Sequence, residues 1–251
     1  ELRRMVAFLE EHTGLKLDVD RLREVCKETN KQYEILSEYT QLRRAHPCPH
    51  GWGIGGPQAF AATQVFQTGK PRGTRWLQQL YADAEARVKA GTGPIPKEKI
   101  RYFWFDLLPF GWVFELMPWL ESEWGAVMVM DMFGLQPYTP IDLRNEETMF
   151  KGLAKRNLYD SPMVRQARGP ADYFASDIAR VVKDYDIDLV IWPGHMGHKD
   201  GSASTGIMKE ICNELKVPYV HIGLDLFDRR YTTPDECKDK LSKFFNAMGL
   251  G

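Results

Sequence analysis

The chain has 251 residues, 43% hydrophobic and 27% charged, with a formal net charge of −1. That is the composition of an ordinary globular protein, and nothing in so small a net charge suggests nucleic acid. No window approaches the roughly 18 consecutive apolar residues of a membrane span, and the opening stretch ELRRMVAFLEEHTG is amphipathic and charged, without the grammar of a signal peptide.

In chain order, Met5, Phe8 and Leu9 space a first helix closed by Gly14. Asp18 or Asp20 caps a second, longer helix with Leu22, Val25, Tyr33, Leu36, Tyr39 and Leu42 at helical spacing. HPCPHGWGIGGP, 46–57, is too rich in Pro and Gly for either periodicity, so it is a loop. Helices are predicted at about 57–68 and 73–90, and GTGPIP at 91–96 ends the region. From residue 98 the period changes. Short strands are predicted at 100–105, 127–130, 189–192 and 219–223. Helical patterns alternate with them at 112–124, 146–158, 173–185, 206–215 and 234–248, with a broken stretch at 160–170. Such alternation calls for one parallel sheet. The predicted fold class is therefore α/β: a helical region over 1–97, then a flavodoxin-like domain over 98–251. The Trp-rich stretch holding Phe103, Trp104, Phe110, Trp112, Trp119 and Trp124 exceeds what so small a sheet needs, so part of it is expected at an interface.

The cysteines, Cys26, Cys48, Cys212 and Cys237, lie far apart without a CxxC, which is no disulfide framework and points to a reducing, cytoplasmic setting. Three fall in helical patterns as buried or half-buried thiols, and Cys48 lies in a loop.

The chemistry is sought in IDLVIWPGHMGHKDGS, 187–202. A buried strand is expected to stop at Pro193-Gly194 and open into a loop carrying His195, His198, Lys199 and Asp200. In an open parallel sheet, ligands bind outside the carboxyl ends of the strands. A wet loop explains the pattern equally well. Two histidines three residues apart could share a metal, but with Asp200 alone nearby a self-contained zinc site is not expected. His221 lies within the fourth strand, as a hydrogen-bonded core histidine. Asp225, Asp228, Arg229 and Arg230 follow that strand at the same sheet edge, where an ion-paired turn is the preferred reading over direct catalysis. Ser202, Ser204 and Thr205 are natural caps, and the helix start after them would suit a phosphate or carboxylate. GWGIGG, 51–56, has glycine spacing but no preceding strand, so a nucleotide reading is weak; its glycines could admit backbone, with Trp52, to a ligand. No GxxxxGK[ST], GxSxG or HExxH occurs.

LEEHTGLKLDVDRLRE, the turn HPCP, VKAGTGPIP, the DLV strand with its polar loop, VPYVHIGLDLFDRRY and KLSKFFNAM follow one another in an order that resembles a known family. It is similar to the later part of a subunit of the 2-hydroxyacyl-CoA dehydratase and ATP-dependent benzoyl-CoA reductase family. The resemblance runs over nearly the whole chain, through many weak matches rather than one signature. It implies subunits of two flavodoxin-like domains, a second homologous subunit, and [4Fe-4S] clusters near an acyl-CoA site. It also implies an ATP-hydrolysing activator that injects one electron to make a ketyl-type radical from the thioester. The function implied is a subunit of a radical dehydratase converting an (R)-2-hydroxyacyl-CoA to an enoyl-CoA. The alternatives are a benzoyl-CoA reductase-type subunit or a cluster-free partner subunit. The chain would begin after the family's first domain. The family's late cysteine, followed by Lys, falls here at His198 before Lys199, and another cysteine position after a Pro falls at Phe110 after Pro109. Imidazole can replace thiolate on iron. His198 is thus an unusual cluster ligand or the cluster is lost, and loss is the preferred reading, because one residue cannot hold a cubane. On this reading His195 and Lys199 are expected as catalytic, His198 as the metal position, and Ser202, Ser204, Asp225 and Trp52 as substrate contacts.

Overall fold

The computed structural model describes residues 1–54, 59, 61–135, 138–161 and 169–249, and for residues 62–64, 170 and 200 the backbone alone. Among them four parallel strands form one sheet in the order β2-β1-β3-β4: β1 Ile100–Trp104, β2 Ala126–Asp131, β3 Leu189–His195 and β4 Tyr219–Leu224. The helices are α1 Leu2–Thr13, α2 Val19–Leu42, α3 Pro71–Ala90, α4 Val113–Trp124, α5 Glu146–Tyr159, α6 Pro170–Asp184, α7 Lys199–Ala203, α8 Thr205–Glu214 and α9 Pro234–Ala247. The α/β class and the helical N-terminal region are as the periodicities predict, and the strand order is the flavodoxin-like one. Of the helix predicted at about 57–68, part lies outside the described residues, and Ala61–Phe66 is a wider π-helical turn. Most of the broken stretch at 160–170 is also outside them.

β1, β2 and all but the last residue of β3 are buried on both faces. Helices cover each face, so the strands read as apolar runs rather than alternations. Ile100, Tyr102, Trp104, Met128, Leu189 and Ile191 face one layer with Leu116, Leu120, Leu241 and Phe245 of α4 and α9. Phe103, Val127, Val129, Val190 and Trp192 face the other with Phe174, Ile178 and Val181 of α6 and Met208 and Cys212 of α8. Of the Trp-rich set Phe103, Trp104 and Trp112 are core, Trp119 and Trp124 pack half-buried against it, and Phe110 alone is exposed.

A buried polar knot ties α2 to the sheet. The Arg43 guanidinium donates to the Met128 carbonyl of β2 at 2.9 Å. Its own carbonyl accepts from Arg101 of β1 at 3.2 Å. Arg101 also donates to Tyr185 O and Ala45 O, each at 3.1 Å, and pairs with buried Glu98.

β3 does not stop at Pro193-Gly194. It stays paired with β4 through Pro193↔Ile222, Gly194↔Gly223 and His195↔Leu224. The N–H groups of Val190 and Met196 both point to β4, so the Pro193 nitrogen faces the β1 side. There β1 has already ended, its last partner being Trp104 against Ile191. A proline is tolerated where no strand waits for its missing donor. Gly194 leaves room for the His221 ring against β3, since a Cβ there would stand 2.0 Å from His221 Nε2. His221 itself is half-buried in β4, and burial holds its pKa below the ordinary value.

Candidate functional site

Chain order and strand order part between β1 and β3. The chain leaves β1 for β2 on one side and returns to β3 on the other. The crevice beyond the carboxyl ends of two such strands is where open α/β sheets bind ligands. From β1 this crevice receives Asp106, a fully buried carboxylate. From β3 it receives His198. The His198 Nδ1 lies 3.0 Å from Asp106 Oδ2, while Asp106 Oδ1 accepts from the Leu107 backbone at 2.7 Å. A carboxylate only accepts, so Nδ1 carries the hydrogen. The ring lies beside Trp192, with centroids 6.5 Å apart. Gly201 fits against both: a Cβ there would be 2.9 Å from Trp192 and 3.0 Å from His198 Nδ1.

His195 closes β3, half-buried, and its Nδ1 is buried with no hydrogen-bond partner among the described residues. Trp192 Nε1 is in the same condition three residues earlier. Asp225, directly after β4, stands within electrostatic range of His195. Its Oδ1 accepts from the Asp228 and Phe227 backbone at 2.8 and 2.9 Å, and these bonds, more than His195, hold its carboxyl below the usual range. Asp225 therefore shapes the turn after β4. Next to it Arg230 brings Asp228 down to about 2, and Arg229 pairs with Glu115, as an ion-paired turn requires.

The remaining predicted residues are spread more widely. Lys199 is exposed and opens α7; the Asp200 side chain lies outside the described residues. Ser202 is exposed within α7, and Ser204 is buried between α7 and α8. The open helix start expected after Ser204 is displaced to Lys199. Small residues at 201–203 let the chain coil early, so Ser204 N bonds back to Gly201 O at 3.0 Å and α8 continues from α7. Trp52 packs edge-on against Phe114, centroids 5.4 Å apart, rather than against the histidine loop. In GWGIGG, Gly51 allows the half-buried Glu121 carboxylate to approach, since a Cβ would strike Glu121 Oε1; Gly55 and Gly56 lie outside the described residues. Beside the crevice stand exposed aromatics. Phe110, 45% exposed, stacks on Phe227, 68% exposed, with centroids 5.8 Å apart. The Gly111 N–H donates to Leu226 O at 2.9 Å and joins the loops that carry them.

Sequence reading missed Asp106. A single acid after an aromatic strand carries no spacing signal, and its partner arrives only through the topology. An iron–sulfur cluster does not fit the donors on this edge. Among the described residues no group of three or more His, Cys, Asp or Glu could hold a metal ion. All four cysteines are buried. Burial pushes each thiol up, Cys212 and Cys237 to about 12, as for thiols packed in a core.

Residues 1–248 match the family described as 2-hydroxyglutaryl-CoA dehydratase, D-component. The chain is also similar to a benzoyl-CoA reductase subunit of Thauera aromatica, 23% identical over 266 residues that cover 97% of this chain and 57% of that protein. It thus spans little more than half the length of that relative. Among the described residues no helix is long and apolar enough to cross a membrane. With a match running from the first helix to the last, the chain belongs to the 2-hydroxyglutaryl-CoA dehydratase D-component family.

Proposed function

We propose that this chain is part of a subunit of a radical acyl-CoA dehydratase, acting on a 2-hydroxyacyl-CoA with a second homologous subunit and an ATP-dependent activator. The observation that carries the reading is the His198–Asp106 pair at the switch point of the sheet. When protonated on both nitrogens, an imidazole whose Nδ1–H is held by a buried carboxylate can donate a hydrogen bond or a proton from Nε2 at a thioester carbonyl. His195 flanks it, Lys199 offers an exposed cation for the CoA phosphates, and Phe110 and Phe227 give an apolar surface beside them. The test uses the complex with its partner subunit, activator and ATP. His198→Gln is expected to lower turnover of a 2-hydroxyacyl-CoA about a hundredfold, the scale of one general acid. Lys199→Ala is expected to raise KM with little effect on kcat. Unchanged kinetics in both would favour a partner subunit that does no chemistry at this edge.

The similarity to a benzoyl-CoA reductase subunit supports a second reading, reduction of an aromatic acyl-CoA. Offering the same complex benzoyl-CoA and a 2-hydroxyacyl-CoA in parallel separates the two.

A further inference from the structure

We infer that this chain supplies no ligand to an iron–sulfur cluster at the carboxyl edge of its sheet, and that the group built there is the metal-free His198–Asp106 pair. The inference goes beyond the acyl-CoA reading and does not depend on which substrate is turned over. It begins with the donors. A cubane takes four protein ligands, nearly always thiolates. The four cysteines sit in separate places. Cys212 packs on one face of the sheet with Met208, and Cys237 on the opposite face with Leu241 and Phe245. Cys26 lies with Ile141 and Met149, against α5. Cys48 donates its thiol to His50 O at 3.2 Å, and its backbone N–H binds Glu98. None forms a metal-holding group with His198 among the described residues.

The local construction argues the same way. An Asp–His pair alone is compatible with a metal on Nε2. Here it comes with no second donor set, since even His195 and Asp225 beside it do not form a group able to hold an ion. Phe110, which the resemblance aligns with a cysteine position, is stacked on Phe227. Its loop is fixed by the bond from Gly111 to Leu226 and by Arg229, which donates to Gly111 O at 3.1 Å. His198 is wedged between Gly201, Trp192 and Asp106. Phe110 is thus committed to a contact of its own, and among the described residues His198 belongs to no group able to hold a metal ion.

The test counts iron in the native complex, purified and reconstituted under strict anaerobiosis, as wild type, His198→Ala, His198→Cys and Asp106→Asn, with an electron paramagnetic resonance spectrum of each after reduction. The same iron content and the same spectrum in all four are expected, whatever iron other parts of the complex carry. A loss of one cluster's iron in His198→Ala, with the wild-type content kept in His198→Cys, would overturn the inference. His198→Cys also guards against misfolding: an altered cluster signal in that variant alone would equally overturn it. Iron content is independent of turnover, so a complex inactive on every acyl-CoA would fail the functional proposal and leave this one standing.

Discussion

Asp106 and His198 lie 92 positions apart in sequence and 3.0 Å apart in space, one beyond each of two neighbouring parallel strands. The strand between them in sequence, β2, is on the far side of β1. Their bond therefore reports directly on whether β1 and β3 are docked. Asp106→Ala removes a buried acceptor from His198 and from the Leu107 N–H. It should cost about 1–3 kcal/mol, the scale of leaving buried donors without partners. A urea titration of the two proteins reads this directly, and an unchanged midpoint would show that the pair does not support the fold.

Arg101 is the cation on which three segments converge. Arg101→Met leaves Glu98 buried without its partner and frees the carbonyls of Arg43, Ala45 and Tyr185. The expected loss is about 3–5 kcal/mol, because an uncompensated buried charge costs more than the pair contributes. Arg101→Met with Glu98→Gln should be less damaged than the sum of the single changes, since the residues share one network. Chemical denaturation of the four proteins in the cycle measures it.

His50 makes stability depend on pH. Its Nδ1 meets the Tyr39 hydroxyl at 3.0 Å and its Nε2 meets Asp83 at 2.7 Å. Burial, aided by Arg43 and Arg87 and opposed by Asp83, holds it below the ordinary 6.5. The unfolded chain therefore takes up a proton first. The stability that His50 contributes is present above pH 6.5 and is lost as pH falls through the depressed folded value. Unfolding free energies at pH 7.5 and 5.5 should differ more in the wild type than in His50→Gln. An equal drop in both would assign the acid sensitivity elsewhere.

Phe227→Ala should separate stability from binding. The ring is mostly exposed, so losing its stack on Phe110 should cost about 0.5–1.5 kcal/mol. If the acyl-CoA lies over this surface, its affinity for the complex should weaken about tenfold, the scale of one aromatic contact at a binding surface. A thermal melt and an acyl-CoA titration, run side by side, distinguish the outcomes. Full affinity with a lowered melting point would make the pair structural.

The fold was legible because buried parallel strands are apolar runs and the helices carry period and caps. The side chain of Asp18 accepts from Arg21, and Thr233 and Glu236 form a reciprocal capping box, as their residue types predict. The site was legible only in part. The run from His195 to Lys199 stands out by composition, whereas Asp106 does not, because its role exists only once β1 and β3 are side by side. Pro193 reads as a stop since sequence alone cannot show which neighbour its nitrogen faces. Gly201-Ser202-Ala203 reads as a lead-in to a helix rather than as helix, because small residues carry no period. Part of the aromatic excess near 103–124 is core filling, since Phe103 and Trp104 point to opposite layers and each layer needs its own.

The space between Gly194 and His221 has a consequence for how this protein tolerates change. A saturation scan would score position 194 as intolerant, since even alanine puts a carbon 2.0 Å from the His221 ring. Lying one residue before His195, it would be taken for part of the chemistry. Its demand is steric, and a compensating partner exists: shrinking His221 to serine or alanine should make Gly194→Ala viable. If His198 acts as proposed, it should have no such suppressor on β4. Pairwise rescue, rather than single-site sensitivity, thus separates the residues that shape this edge of the sheet from those that act on what binds there.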